Sequence, residues 1–255
     1  MFKWIVGFMA GAALAAVAAY RLAYVPWRRQ WEASPEESDR PFPGDDIVPD
    51  AEYIDTMAVT IDAPPSAVWP WLLQMGYGRG GWYSYDAIDM LGNSAREVIP
   101  DLQDLQVGQL IPFAPGAGFR VDVLEPERAL VLYLDDDLIA QQQSAARAST
   151  AAAEPATETA GLKVVGGLAG ANMSEFRVSW AFVLEPLGDE RTRLLERFRT
   201  RTTPGPAAVI TGPLIDHGHF LMTRKQLLGI KERVEQPFGG RLSLEETTVI
   251  ATAAT

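Results

Sequence analysis

Apolar and polar residues alternate from Thr56 to Ile61, which puts Met57, Val59 and Ile61 on one face of a half-buried β-strand. The pattern of strands recurs in five later ranges, 107–113, 119–125, 129–134, 179–184 and 192–200. Short turns at 126–128 and 188–189 join these strands into hairpins. Hairpins in series predict an antiparallel sheet.

Two helices are predicted in the same region. Asp62 suits the cap of the first, Pro64 and Pro65 suit its first turn, and Pro70 is expected to kink or shorten it. The second is long and runs from about Pro213 to before Pro237. Its apolar stripe comprises Leu214, Phe220, Leu221, Leu227, Leu228, Ile230 and Val234.

The N-terminal segment, residues 1–27, is predicted to be a transmembrane anchor. Trp4 to Tyr20 is an uncharged run of 17 residues, near the lower limit for crossing a bilayer. Basic residues follow the run more densely than they precede it, which favours a single-pass protein of the cell membrane with its body in the cytoplasm. The alternative is a signal peptide cleaved near Ala16-Val17-Ala18, with export of the body.

Three further segments complete the organisation. Residues 28–50 are charged and proline-rich and are interpreted as an extended tether. Residues 51–238 form the main domain, interrupted at about 140–172 by a low-complexity insertion rich in alanine. Residues 239–255 are expected to be a flexible tail.

The stretch from Ile61 to Asp86, with the motif Trp180-Ala-Phe-Val-Leu-Glu-Pro186, resembles the SRPBCC superfamily of START-like and polyketide cyclase-like domains. It is most similar to a largely uncharacterised bacterial branch. The resemblance implies an α+β, helix-grip fold, in which a curved antiparallel sheet wraps around a long C-terminal helix. It also implies a cavity between sheet and helix for an apolar ligand.

Composition restricts the possible functions. The net charge is −11, and the chain beyond residue 31 carries 18 basic and 33 acidic residues. So acidic a body repels phosphate backbones, and we expect no nucleic-acid partner. The chain has no cysteine, which excludes disulfides and thiolate metal sites.

Candidate catalytic groups are few. The two histidines, His217 and His219, do not share a helix face, so no metal held by both is expected, and neither is a cofactor. Either could instead be an ordinary polar residue or a base at the cavity mouth. Strand alternation turns Glu196 inward, where a carboxylate could orient a ligand or accept a proton; a salt bridge at the sheet margin is the alternative.

The glycine-rich stretch 76–81 is expected to form a tight turn. Within it, Arg79 is expected to pair with Asp86 or Asp89, with an anionic head group as the alternative partner. The predicted ligand-binding residues follow from the resemblance and the inward positions: Trp82, Tyr83, Tyr85, Arg79, Trp180, Phe182, Glu196, His217, Phe220 and Leu221.

These features favour a membrane-tethered protein that binds a lipid, isoprenoid or quinone and is not an enzyme. The first alternative is a cyclase, dehydratase or isomerase with Glu196, a tyrosine or a histidine as proton carrier. The second is an accessory protein that docks on a membrane protein complex.

Overall fold

The computed structural model describes residues 2–87, 93–151, 174–203 and 208–236. The helices are α1 (Phe2–Ala19), α2 (Val25–Arg29), α3 (Pro35–Asp39), α4 (Pro65–Leu73), α5 (Asp136–Ala151) and α6 (Ala208–Glu235), with a π-helical turn at Tyr20–Tyr24 and a 3-10 turn at Pro100–Leu102. The strands are β1 (Tyr53–Ile61), β2 (Leu110–Ala114), β3 (Ala117–Glu125), β4 (Ala129–Asp135), β5 (Ser174–Pro186) and β6 (Thr192–Thr203).

The six strands form one antiparallel sheet in the order β1-β6-β5-β4-β3-β2. The C-terminal helix α6 packs against β1 and α4. The predicted α+β architecture of an antiparallel sheet with a long C-terminal helix is therefore confirmed. We call the sheet face that carries Met57, Phe182 and Leu194 the inner face; these side chains are fully buried in the main apolar core together with Leu227 of α6.

Helix α6 approaches the chain at residues 82–84 very closely. A methyl group at Gly229 would lie 2.2 Å from the carbonyl oxygen of Tyr83. Only glycine permits this contact, because a Cβ atom cannot approach a backbone oxygen so closely. Gly229 therefore sets the distance between α6 and the turn that follows α4.

Residues 28–50 do not form the extended tether that their composition suggested. Most of the segment packs on the outer face of the sheet, where Phe42 and Val48 are buried, whereas Trp31 joins the main apolar core. The side chain of Arg197 points outward from β6 and donates to the carbonyl oxygens of residues 37, 38 and 40. The prediction failed because three of the partners of this arginine are backbone carbonyls, which leave no trace in the sequence.

The same segment reaches the free edge of β1. The backbone N–H of Ala58 donates to the carbonyl of Trp31 at 3.1 Å. From the other side, Lys231 Nζ of α6 donates to the carbonyl of Thr60 at 2.6 Å. The N–H of Ala58 and the carbonyl of Thr60 on this edge strand thus have partners outside the sheet.

The predicted transmembrane anchor is not confirmed. Among the residues that the structure describes, no helix has both the length and the apolar character needed to cross a membrane. Of the predicted insertion, residues up to Ala151 belong to α5, and the rest, 152–172, lies outside the described residues. The predicted tail, 239–255, also lies outside them.

Candidate functional site

Three ionisable side chains meet on the inner face of the sheet. Asp55 of β1, Glu196 of β6 and His219 of α6 each offer a ligand atom, and these atoms lie within 4.8 Å of one another. Glu196 is fully buried and Asp55 is 2% exposed. The strand register explains their proximity, because Met57 pairs with Glu196 and Asp55 pairs with Phe198, so all four residues share one face.

Two neighbouring side chains hold one oxygen of each carboxylate. The hydroxyl of Tyr53 donates to Asp55 Oδ2 at 2.7 Å, and the indole N–H of Trp180 donates to Glu196 Oε1 at 2.5 Å. The remaining oxygens, Asp55 Oδ1 and Glu196 Oε2, have no hydrogen-bond partner among the described residues. The same holds for His219 Nε2, which lies 3.2 Å from Asp55 Oδ2.

Burial dominates the electrostatics of this cluster. It raises the pKa of Glu196 well above its usual range, and the neighbouring Asp55 carboxylate raises that pKa further. The hydrogen bond from Trp180 acts in the opposite direction but is weaker. Burial likewise raises the pKa of Tyr53, so its hydroxyl stays a donor at neutral pH.

Aromatic rings surround the cluster. The ring of Phe198 lies 4.3 Å from that of His219, measured between centroids. Trp180 stacks on Trp82 at 5.3 Å and contacts Phe182 at 5.1 Å. The polar groups therefore lie within an otherwise apolar and aromatic interior.

The chain at residues 20–28 covers the N-terminal part of α6. The imidazole of His217 stacks on Tyr20 at 5.8 Å and on Tyr24 at 5.4 Å. Arg28 is buried and forms an ion pair with Asp216, one helical turn before His219. This segment therefore packs against α6 at residues 216–220, around His219.

The structure brings together four of the predicted ligand-binding residues, namely Trp82, Trp180, Phe182 and Glu196. Phe220 is also buried, but beneath Trp27, with ring centroids 5.9 Å apart. His217 belongs to the tyrosine stack described above. Leu221 is 50% exposed, so its prediction as a residue facing the interior is wrong.

The glycine-rich stretch holds structural contacts. Arg79 donates to the carbonyl oxygens of Met75 and Leu73 at 3.0 and 2.9 Å, instead of pairing with Asp86. Asp86 accepts from the hydroxyl of Ser94, and Asp89 lies outside the described residues. Arg79 therefore stabilises the end of α4.

Of the two tyrosines predicted to bind the ligand, Tyr83 is buried and Tyr85 is exposed. Tyr83 has a positive φ of 59°, and its hydroxyl donates to the carbonyl of Trp71 at 3.0 Å. It ties the turn to α4, so we assign it a structural contact and not a position beside the polar cluster.

Sequence reasoning missed Tyr53, Asp55 and His219 as partners of Glu196. The first two precede the residue at which strand alternation was recognised, Thr56, although they continue the same face. Extending the alternation by one strand step in the N-terminal direction would have placed Asp55 beside Met57. The sequence indicated His219 only as an ordinary polar residue or a base at the cavity mouth. Its position beside the two carboxylates depends on two strands that are distant in sequence.

No protein-family model matches the chain, and no curated protein matches it. Solved structures with a similar arrangement include a conserved protein from Geobacillus kaustophilus, at 14% identity and a TM-score of 0.34, covering 71% of this chain and 95% of that one. Truncated norcoclaurine synthase from Thalictrum flavum is 12% identical with a TM-score of 0.38, covering 72% and 94%. A hypothetical protein from Helicobacter pylori is 14% identical with a TM-score of 0.37, covering 74% and 92%. Likenesses this distant carry no argument about ligand or activity.

Proposed function

We propose that the protein binds an apolar small molecule between the inner face of the sheet and α6. The cluster of Asp55, Glu196 and His219 receives the polar group of that molecule. The observation that carries the proposal is the set of buried atoms, one on each residue of the cluster, that make no hydrogen bond within the part of the chain that the structure describes. The resemblance to the SRPBCC superfamily supports the same location for a ligand.

A buried polar atom without a hydrogen bond costs about 1–3 kcal/mol, so such atoms in a native interior require an explanation. The free oxygen of Asp55 can accept a hydrogen bond, and the raised pKa of Glu196 allows its carboxyl group to donate one. A hydroxyl group both donates and accepts, so it suits this pair. The surrounding rings of Trp180, Phe182 and Phe198 favour an apolar remainder. A long-chain or isoprenoid alcohol has both properties.

The proposal is tested by uptake of two probes that differ only in their head group, farnesol and the corresponding hydrocarbon. Delipidated wild-type protein is expected to bind farnesol more tightly. In Glu196→Leu this preference should fall about tenfold, because the hydrogen bond between the carboxyl group and the ligand hydroxyl is lost. Glu185→Leu is the matched control, since Glu185 lies on the same sheet in a half-exposed ion pair with Arg40.

Failure of the wild-type protein to bind either probe would contradict the proposal. Release of a chemically altered molecule would instead favour the cyclase, dehydratase or isomerase alternative. The position of Glu196 beside His219 on the inner face favours that alternative as the second candidate. Attachment to a membrane and docking on a membrane protein stay predictions from the sequence.

A further inference from the structure

We infer that Asp55, Glu196 and His219 form a binding site for one divalent transition-metal ion. The inference does not depend on the apolar ligand. It rests on the donor atoms of this cluster and on the contacts that orient them.

The donor set suits a first-row divalent ion. One imidazole nitrogen and two carboxylate oxygens are typical ligands of Zn²⁺, Mn²⁺, Fe²⁺ and Co²⁺. Sequence reasoning excluded a site with both histidines, and the structure instead supplies carboxylates from β1 and β6 to a single histidine of α6. Three protein ligands leave at least one coordination position for water or for the polar group of a ligand.

The hydrogen bonds divide each carboxylate into a held oxygen and a free one. Tyr53 and Trp180 occupy Asp55 Oδ2 and Glu196 Oε1, whereas Asp55 Oδ1, Glu196 Oε2 and His219 Nε2 lack partners among the described residues. Metal ligands in proteins have this arrangement, in which a neighbouring donor fixes one atom while the other faces the ion.

The spacing requires little movement. Ligands bound to one ion at about 2.0–2.2 Å lie roughly 3–4 Å from one another. His219 Nε2 already lies 3.2 Å from the Asp55 carboxylate, at the oxygen that Tyr53 holds, and the ligand atoms of the three residues lie within 4.8 Å of one another. Side-chain rotations that shift the ligand atoms by up to about 1 Å bring them to the distances that one ion requires.

The charge balance also favours a cation. Asp55 and Glu196 are neighbouring buried carboxylates, and burying like charges together is costly without a counter-charge. Among the arginines near the cluster, Arg28 pairs with Asp216, Arg197 pairs with Asp45 on the outer face, and Arg29 lies over the ring of Tyr53 at 4.5 Å. A divalent ion neutralises both carboxylates at once.

The test is calorimetric titration of the full chain, pretreated with chelator, with Zn²⁺, Mn²⁺ and Co²⁺ in the absence of any apolar molecule. We expect one ion per chain for at least one metal, and visible absorption of the Co²⁺ form that reports nitrogen and oxygen ligands. Asp55→Asn, Glu196→Gln and His219→Gln should each lower the affinity by about 100-fold or more. Tyr53→Phe, which leaves all three ligands in place, should lower it by about 10- to 100-fold.

The matched control is Glu185→Gln, which should bind the ion as the wild type does. Absence of stoichiometric binding by the folded wild-type protein would overturn the inference, and so would equal affinity in the three ligand variants and the control. Circular dichroism identifies any variant that fails to fold, in which case Tyr53→Phe decides. Farnesol uptake by chelated protein shows whether the ligand proposal survives a negative result here.

Discussion

Removal of the Arg197 side chain is expected to destabilise the protein strongly, although this side chain points to the face of the sheet opposite the polar cluster. The guanidinium is 3% exposed. It forms an ion pair with Asp45 at 2.9 Å and donates to Thr56 Oγ1 at 3.0 Å. It also donates to the carbonyls of residues 37, 38 and 40 and lies over the Phe42 ring at 3.9 Å.

The magnitude follows from these contacts. Breaking a buried ion pair by removing one partner costs about 3–5 kcal/mol when the other charge stays buried. The Asp45 carboxylate is 23% exposed and partly solvated, so we expect a loss toward the lower end of this range. The carbonyl oxygens add less, since they belong to a segment that can turn toward water. Arg197→Met keeps much of the side-chain volume, so we expect a loss of about 3–5 kcal/mol in the free energy of unfolding.

Urea unfolding followed by tryptophan fluorescence measures this loss. The control is Arg128→Met, which removes a 67% exposed side chain paired with Glu125 and should cost about 0–1 kcal/mol. Limited proteolysis should cleave residues 28–50 faster in Arg197→Met than in the control. Equal unfolding free energies in the two variants would refute the conclusion that this segment is part of the folded domain.

Two further predictions concern Gly229 and Glu37. Gly229→Ala should lower the melting temperature, since its methyl group would meet the carbonyl of Tyr83. Gly218→Ala on the same helix, where a methyl group would meet nothing within 4 Å, should raise the free energy of unfolding by about 0.5–1 kcal/mol. Equal shifts in the two variants would contradict the close approach of α6. Hydrogen bonds from Arg193 lower the pKa of Glu37 from 4.5, so Glu37 stabilises the fold above about pH 4.5 and loses this effect as the pH falls further. Unfolding titrations should therefore show Glu37→Gln less stable than wild type at neutral pH and the difference shrinking in acid; a constant difference would argue against the ion pair.

Much of the sheet was predictable, because its signal is local. Alternation along β6 placed Leu194, Glu196 and Phe198 on one face, and the structure has Glu196 buried on the inner face. The hairpin turns at 126–128 and 188–189 were equally visible, and strand bounds differ from the prediction by a few residues at their ends. The long C-terminal helix begins at Ala208, five residues before the predicted Pro213.

The remainder depends on contacts between distant segments. The proline and charge content of residues 28–50 is the same whether they extend into solvent or cover a sheet. Their packing follows from the outward arginines of β6, whose acceptors are mostly main-chain oxygens. The polar cluster likewise depends on β1, β6 and α6 meeting, so Glu196 could be predicted to face inward while its partners could not.

The contacts at Ala58 and Thr60 bear on how this protein avoids self-association. An edge strand with free N–H and carbonyl groups is a template on which a second chain can extend the sheet. Here Trp31 from before the sheet and Lys231 from after it occupy those groups on β1. A shortened chain that begins after residue 33 would keep every strand and the Lys231 contact, yet it would leave the N–H of Ala58 free to pair with a strand of a second chain.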